Sequence, residues 1–191
     1  MKPKTWWKNN SESWLKKMEH WEKADKGNSK NFKIEEDFLV NEIDKLGFKK
    51  ILEVGAGNGR IIGRLSKMGY ECHSIDINKN LSRYVWEQYK IDVYCGEIIK
   101  LPFKDKEFDL VYTHEVLQHV EPEEIDQAIS ELLRVGKEVW CMENWRDTPD
   151  GEKVSDSHCG RWNYDLKKRM NPYYDFYTDW GQIFIKSKGI E

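Results

Sequence analysis

The stretch Ile51 to Arg60, ILEVGAGNGR, constrains this chain more than any other: an apolar run stops on an acid and enters alternating glycines. Ile51, Leu52 and Val54 suit a short strand buried on both faces. Gly55, Gly57 and Gly59 then strip side chains from the backbone, so a flat ligand can lie directly against the main chain. Ile61, Ile62 and Leu65 follow at the spacing of one helix face, so the unpaired N–H groups of that helix's first turn point at the same place. The stretch therefore reads as strand, tight turn and helix.

The rest of the chain repeats this alternation. Helix is expected over 59–68 (ended by Gly69), 79–89 and 122–135, the last with Pro122 in its first turn. Strands are expected over 49–55, 70–77, 91–95, 108–113 and 138–143, with a loop over 96–107. Five strands separated by helices predict an α/β fold with a mainly parallel sheet, helices on both faces and ligands beyond the carboxyl ends of the strands. Ahead of them, Trp14, Met18 and Trp21 recur on one face of a helix over 11–23 that Gly27-Asn28-Ser29 ends. A second helix, 34–46, turns Ile34, Phe38, Leu39, Ile43 and Leu46 inward. After a turn at 147–151, residues 164–170 suit a short helix, and 173–178 and 182–188 suit a terminal hairpin.

Length and charge narrow the class. The chain's 191 residues suit one domain, 1–191, with residues 1–30 as an aromatic helical lid and 145–191 as a substrate-side segment and hairpin. Basic and acidic residues nearly cancel, to −3, and are interspersed, which argues against nucleic acid as a partner. No apolar run reaches the ~20 residues of a membrane span and the N-terminus is not signal-like, so the expected location is the cytoplasm, as monomer or homodimer. Cys72, Cys95, Cys141 and Cys159 form no C-x-x-C pair, and the first three fall in expected strands as buried or partly buried thiols. His114, Glu115 and His119 approach H-E-x-x-H, but the second histidine falls at i+5, about 100° off the helical face that a metal would need, so no metal is expected.

If the glycine turn holds a nucleoside, the next strand should end in an acid that accepts from a ribose diol. Asp76 stands there, 21 residues after Gly55. A dinucleotide turn would need glycine where Arg60 stands. The spacing present, E-x-G-x-G-x-G from Glu53 to Gly59, resembles the first motif of the class I S-adenosylmethionine-dependent methyltransferases. Gly96-Glu97-Ile98, Leu101-Pro102-Phe103 and Phe108-Asp109-Leu110-Val111 resemble the G-D-x-x-x-L-P-F…F-D-x-V run of the small-molecule members, with Glu97 in place of Asp. Thr113 to Val120 resembles their fourth-strand exit.

The resemblance implies a Rossmann-like seven-stranded sheet ending in an antiparallel edge hairpin, with S-adenosylmethionine as cofactor. It places Glu53, Gly55, Ala56, Gly57, Gly59 and Arg60 around the cofactor's near side. Asp76 and Ile77 would meet the ribose, Glu97 and Ile98 the adenine, and His114 the reacting end. His114 or Glu115 is the expected general base, with His158 as an alternative, and Trp21, Glu143, Asn144, Trp145 and Trp162 are expected near the substrate. The implied reaction is methyl transfer to an N or O atom of a small molecule: an amino sugar, an amine or a natural-product intermediate. Two competing readings are a non-catalytic subunit that binds S-adenosylmethionine and an NAD-dependent oxidoreductase.

Overall fold

The computed structural model describes residues 3–23, 28–155, 160–179 and 181–190, with side chains over 4–18, 33–154, 160–179 and 181–190. Five parallel strands form the first part of the sheet: β1 (Lys50–Val54), β2 (Glu71–Asp76), β3 (Asp92–Cys95), β4 (Phe108–His114) and β5 (Gly136–Asn144). A separate two-stranded ribbon follows, β6 (Lys153–Ser155) and β7 (Arg161–Trp162). The hairpin of β8 (Tyr174–Tyr177) and β9 (Gln182–Lys188) completes the main sheet, whose spatial order is β3-β2-β1-β4-β5-β9-β8. The later hairpin strand, β9, docks antiparallel beside β5 and leaves β8 at the edge. A seven-stranded, mostly parallel sheet with an antiparallel C-terminal hairpin is thus the fold.

Among the described residues, seven α-helices flank the sheet: α1 (Pro3–Asn9), α2 (Ser11–Lys23), α3 (Asn28–Asp44), α4 (Arg60–Lys67), α5 (Lys79–Tyr89), α6 (Ile125–Val135) and α7 (Leu166–Met170). Because strand side chains alternate, the sheet builds two cores. On one face Ile51, Leu110, Tyr112, Trp140, Met142 and Phe184 pack against Leu39 and Ile43 of α3, Ile61, Ile62 and Leu65 of α4, and Val85 of α5. On the other, Leu52, Val54, Val111, Val139, Cys141 and Ile185 pack against Ile125, Ala128, Ile129 and Leu132 of α6 and Leu166 and Met170 of α7. Each fully buried aliphatic side chain contributes roughly 1.5–3 kcal/mol.

Several boundaries differ from the sequence reading. Asn28 opens α3 instead of closing α2, and Ile34 and Leu46 are exposed, because the buried face of α3 runs through Glu35, Leu39, Val40 and Ile43. Pro122 lies in a turn ahead of α6, which begins at Ile125. Cys95, on edge strand β3, is exposed, while Cys72 and Cys141 are buried. Cys159 lies outside the described residues. Asp109 secures the sheet's far end: its carboxylate accepts from the Lys49 and Lys50 N–H groups, both at 3.0 Å, and pairs with Lys137.

Candidate functional site

The glycine turn lies between β1 and α4, and all three glycines take the left-handed backbone, with φ of 77° at Gly55, 57° at Gly57 and 73° at Gly59. A side chain has no room there: a Cβ on Gly55 would lie 2.4 Å from a Val116 methyl, and one on Gly57 would lie 2.7 Å from the Trp14 ring. Asp76, at the end of β2, accepts from the Gly57 N–H at 2.9 Å and from the Asn78 N–H at 2.8 Å, so it fixes the turn while keeping acceptor capacity toward the cavity. Asn78 caps α5 by accepting from the Asn80 and Leu81 N–H groups. Glu53 is buried beneath the turn and accepts from the Ile62 N–H in the first turn of α4.

These groups open on a cavity of about 770 Å³, within the size range of ligand pockets. Gly55, Ala56, Gly57, Arg60, Asp76 and Ile77 line it, as do Glu97, Ile98, His114, Glu115 and Asn144. At the β4 exit, His114 meets the buried Glu35 of α3 at 3.0 Å. Burial lowers the imidazole's pKa, but the Glu35 hydrogen bond and the Glu115 and Glu35 charges more than offset it, and the net shift is upward from 6.5. Glu115 has a φ of 57°, rare for a residue with a side chain, and its carboxylate accepts from the Asn144 amide at 2.6 Å and the Gln182 amide at 3.0 Å. Gln118 accepts from the Asn144 amide at 3.2 Å.

Residues of the first two helices, Trp6, Trp7, Trp14 and Met18 among them, line the cavity. Lys4 of α1 pairs with Glu97 at 2.5 Å and Glu124 at 3.0 Å, and Lys8 pairs with Glu97 at 2.6 Å. The Trp7 carbonyl accepts from Asn78, and the Trp7 ring sits 4.8 Å from His119. Arg60 pairs with Glu36 of α3 at the opposite rim.

Three expected substrate residues stand elsewhere. Glu143 is buried behind the wall, where it accepts from the Thr113 hydroxyl at 2.8 Å and from the Val116 and Gln118 N–H groups, so it shapes the β4 exit from below. The Trp145 ring meets the Tyr177 ring in a tilted contact, centroids 4.6 Å apart, and Trp162 packs against the α6-side core. His158 lies outside the described residues, as does the side chain of Trp21. Glu35, Gln118 and Gln182 are the residues that sequence reasoning missed. Glu35 had a signal: it shares a helix face with Leu39 and Ile43, where an acid needs a partner.

Burial raises three carboxyls near the turn, Asp76 to about 6, Glu143 to about 7 and Glu53 to about 8. Their folded pKa values exceed the unfolded ones, so the stability they contribute is complete below about pH 4 and is lost as the pH rises through about 6 to 8. The ligand-free protein should therefore melt at a higher temperature near pH 5 than near pH 8.5, and Glu53→Gln should flatten that slope. Equal slopes in calorimetric melts of the two proteins would show that Glu53 is not held neutral.

Among the described residues, no group of three or more His, Cys, Asp or Glu side chains could hold a metal ion, and no helix is long and apolar enough to cross a membrane. The family model described as "Methyltransferase domain" matches residues 52–138. An uncharacterised methyltransferase of Staphylococcus carnosus is 32% identical over 95 residues, covering 50% of this chain and 45% of that protein. Norajmaline N-methyltransferase of Rauvolfia serpentina is 30% identical over 95 residues, covering 46% and 32%. The chain thus spans less than half the length of these curated relatives. Magnesium protoporphyrin IX methyltransferase of Synechocystis PCC 6803, solved with bound SAH, superposes with a TM-score of 0.74 at 12% identity, covering 96% of each chain.

Proposed function

We propose that the chain is a class I S-adenosylmethionine-dependent methyltransferase and that it moves a methyl group from S-adenosylmethionine to an N or O atom of a small molecule. One observation carries the reading: the bare glycine turn, the Asp76 carboxylate and the β4-exit histidine all line a single cavity. The residues present fit the cofactor. Gly55 and Gly57 hold a left-handed turn against which Val116 and Trp14 leave no room for a side chain, and Asp76 has lone pairs left for a ribose diol. Ile77 and Ile98 offer apolar cover for adenine, and Glu97 offers an acceptor for its amino group once Lys4 or Lys8 gives way.

When bound, the sulfonium supplies an already activated methyl group. The protein's remaining tasks are to align the acceptor and take its proton. His114 is placed for the second task, its Nε2 oriented by Glu35. Glu115, held by two amide side chains, fixes Asn144 at the cavity wall. An amine acceptor is favoured over an alcohol, since the similar Rauvolfia serpentina protein is an N-methyltransferase and a near-neutral imidazole matches the proton of an ammonium better than that of an alcohol.

Calorimetric titration with S-adenosylmethionine, S-adenosylhomocysteine and NADH tests this reading. Binding of the first two is expected; tight NADH binding with no response to the others would overturn it in favour of an oxidoreductase. Sustained turnover of any acceptor by the isolated chain would reject a non-catalytic, cofactor-holding subunit. Asp76→Ala should weaken S-adenosylhomocysteine binding by ~1.5–3 kcal/mol, the worth of hydrogen bonds to a charged acceptor. Unchanged affinity would remove Asp76 from the ribose site.

A further inference from the structure

The cavity's basic groups are mostly paired within the protein. Lys4 is taken by Glu97 and Glu124, Arg60 by Glu36, and His114 by Glu35. Arg161 of β7 also lines the cavity, and among the described residues it has no carboxylate, carbonyl or ring partner. Its backbone is nonetheless well placed. The carbonyl of the preceding residue, Gly160, lies 2.7 Å from His119 Nδ1, and β7 pairs with β6. The ribbon therefore carries a guanidinium to the cavity on a braced strand, with its five N–H donors unused among the described residues.

An unpaired arginine on a pocket wall is costly to retain for packing alone, because its donors match the planar fork of a carboxylate or the oxygens of a phosphate. Arg161 also belongs to the segment after β5, outside the matched residues 52–138, so the cofactor cradle does not account for it. We infer that Arg161 is the specificity determinant for the acceptor, and that the acceptor carries an oxyanion, a carboxylate or a phosphate, which Arg161 binds while the nucleophilic atom lies toward His114. This inference rests on the proposed methyl transfer for its account of the cavity, but it concerns a residue outside the glycine turn and Asp76. An acid-bearing amine would enter as a zwitterion, its anion at Arg161 and its ammonium at the Glu35–His114 pair.

The test uses the full chain loaded with S-adenosylhomocysteine and three probes of like shape, benzoate, phenyl phosphate and uncharged benzamide, with binding followed by calorimetry in the wild type and Arg161→Gln. Saturable binding of benzoate or phenyl phosphate is expected, weakened at least tenfold by the substitution and partly restored in Arg161→Lys. Benzamide should bind equally weakly to all three proteins. The stronger of the two anions tells carboxylate from phosphate. Equal anion binding by wild type and Arg161→Gln, or no anion binding by either, overturns the inference. S-adenosylhomocysteine affinity, measured first, should be the same in all three proteins; if the wild type fails to bind it, the methyltransferase reading fails, and the anion titrations, repeated without it, still decide for or against Arg161.

Discussion

Gly57→Val is expected to reduce S-adenosylmethionine affinity by more than about a hundredfold, ~2.8 kcal/mol, while leaving a cooperatively folded protein. Two effects combine. A β-branched residue at a φ of 57° is strained by about 1–3 kcal/mol, which a packed seven-stranded sheet can absorb. The added side chain also has nowhere to go: its Cβ alone would stand 2.7 Å from the Trp14 ring, which lines the same cavity, so the new side chain and Trp14 would be pushed into the space a ligand needs. Gly69→Val provides the control, because Gly69 has a φ of 96° and a Cβ there would meet nothing within 4 Å. It should lower the melting temperature and leave affinity untouched. Calorimetric titration with circular dichroism on both variants separates strain from occlusion, and a Gly57→Val protein that binds normally would end the close-approach argument.

That experiment addresses the part of the molecule most legible in the sequence. Strands β1 and β4 are buried on both faces, so Ile51-Leu52 and Leu110-Val111-Tyr112 appear as apolar runs, and the turn between β1 and α4 is written in glycines that only a left-handed backbone requires. Residues whose role depends on distant partners were less legible. Helix α1 has seven residues, too short for a periodic signal, and its Lys4 and Lys8 pair with Glu97 and Glu124, far along the chain. Glu143 and Asn144 are adjacent at the end of β5, and the sequence points to both, but strand alternation sends their side chains apart, Asn144 to the cavity wall and Glu143 to the turn behind it. Trp145 and Trp162 suit an aromatic substrate wall by residue type alone. Tyr177 on the terminal hairpin captures the first and the α6-side core the second.

The Glu35–His114 pair joins a residue that the motif placed with one that only the tertiary fold supplies, and it leads to the largest kinetic prediction. With His114 as the proposed base, His114→Ala should lower kcat by roughly 10²–10⁴-fold and leave S-adenosylhomocysteine affinity within about threefold. The base must be neutral to accept a proton, so kcat should rise with pH and inflect above the ordinary imidazole value of 6.5, because Glu35 and Glu115 favour the charged form. Glu35→Gln keeps a hydrogen-bonding side chain at 3.0 Å but removes one negative charge, so the inflection should move toward acid and the plateau rate should fall. A residue that merely braced α3 would lower stability and leave that inflection in place. Unchanged profiles in Glu35→Gln would limit Glu35 to packing, and a His114→Ala enzyme of near-normal kcat would shift the proton to Glu115, which reaches the same cavity wall from the next position in the chain.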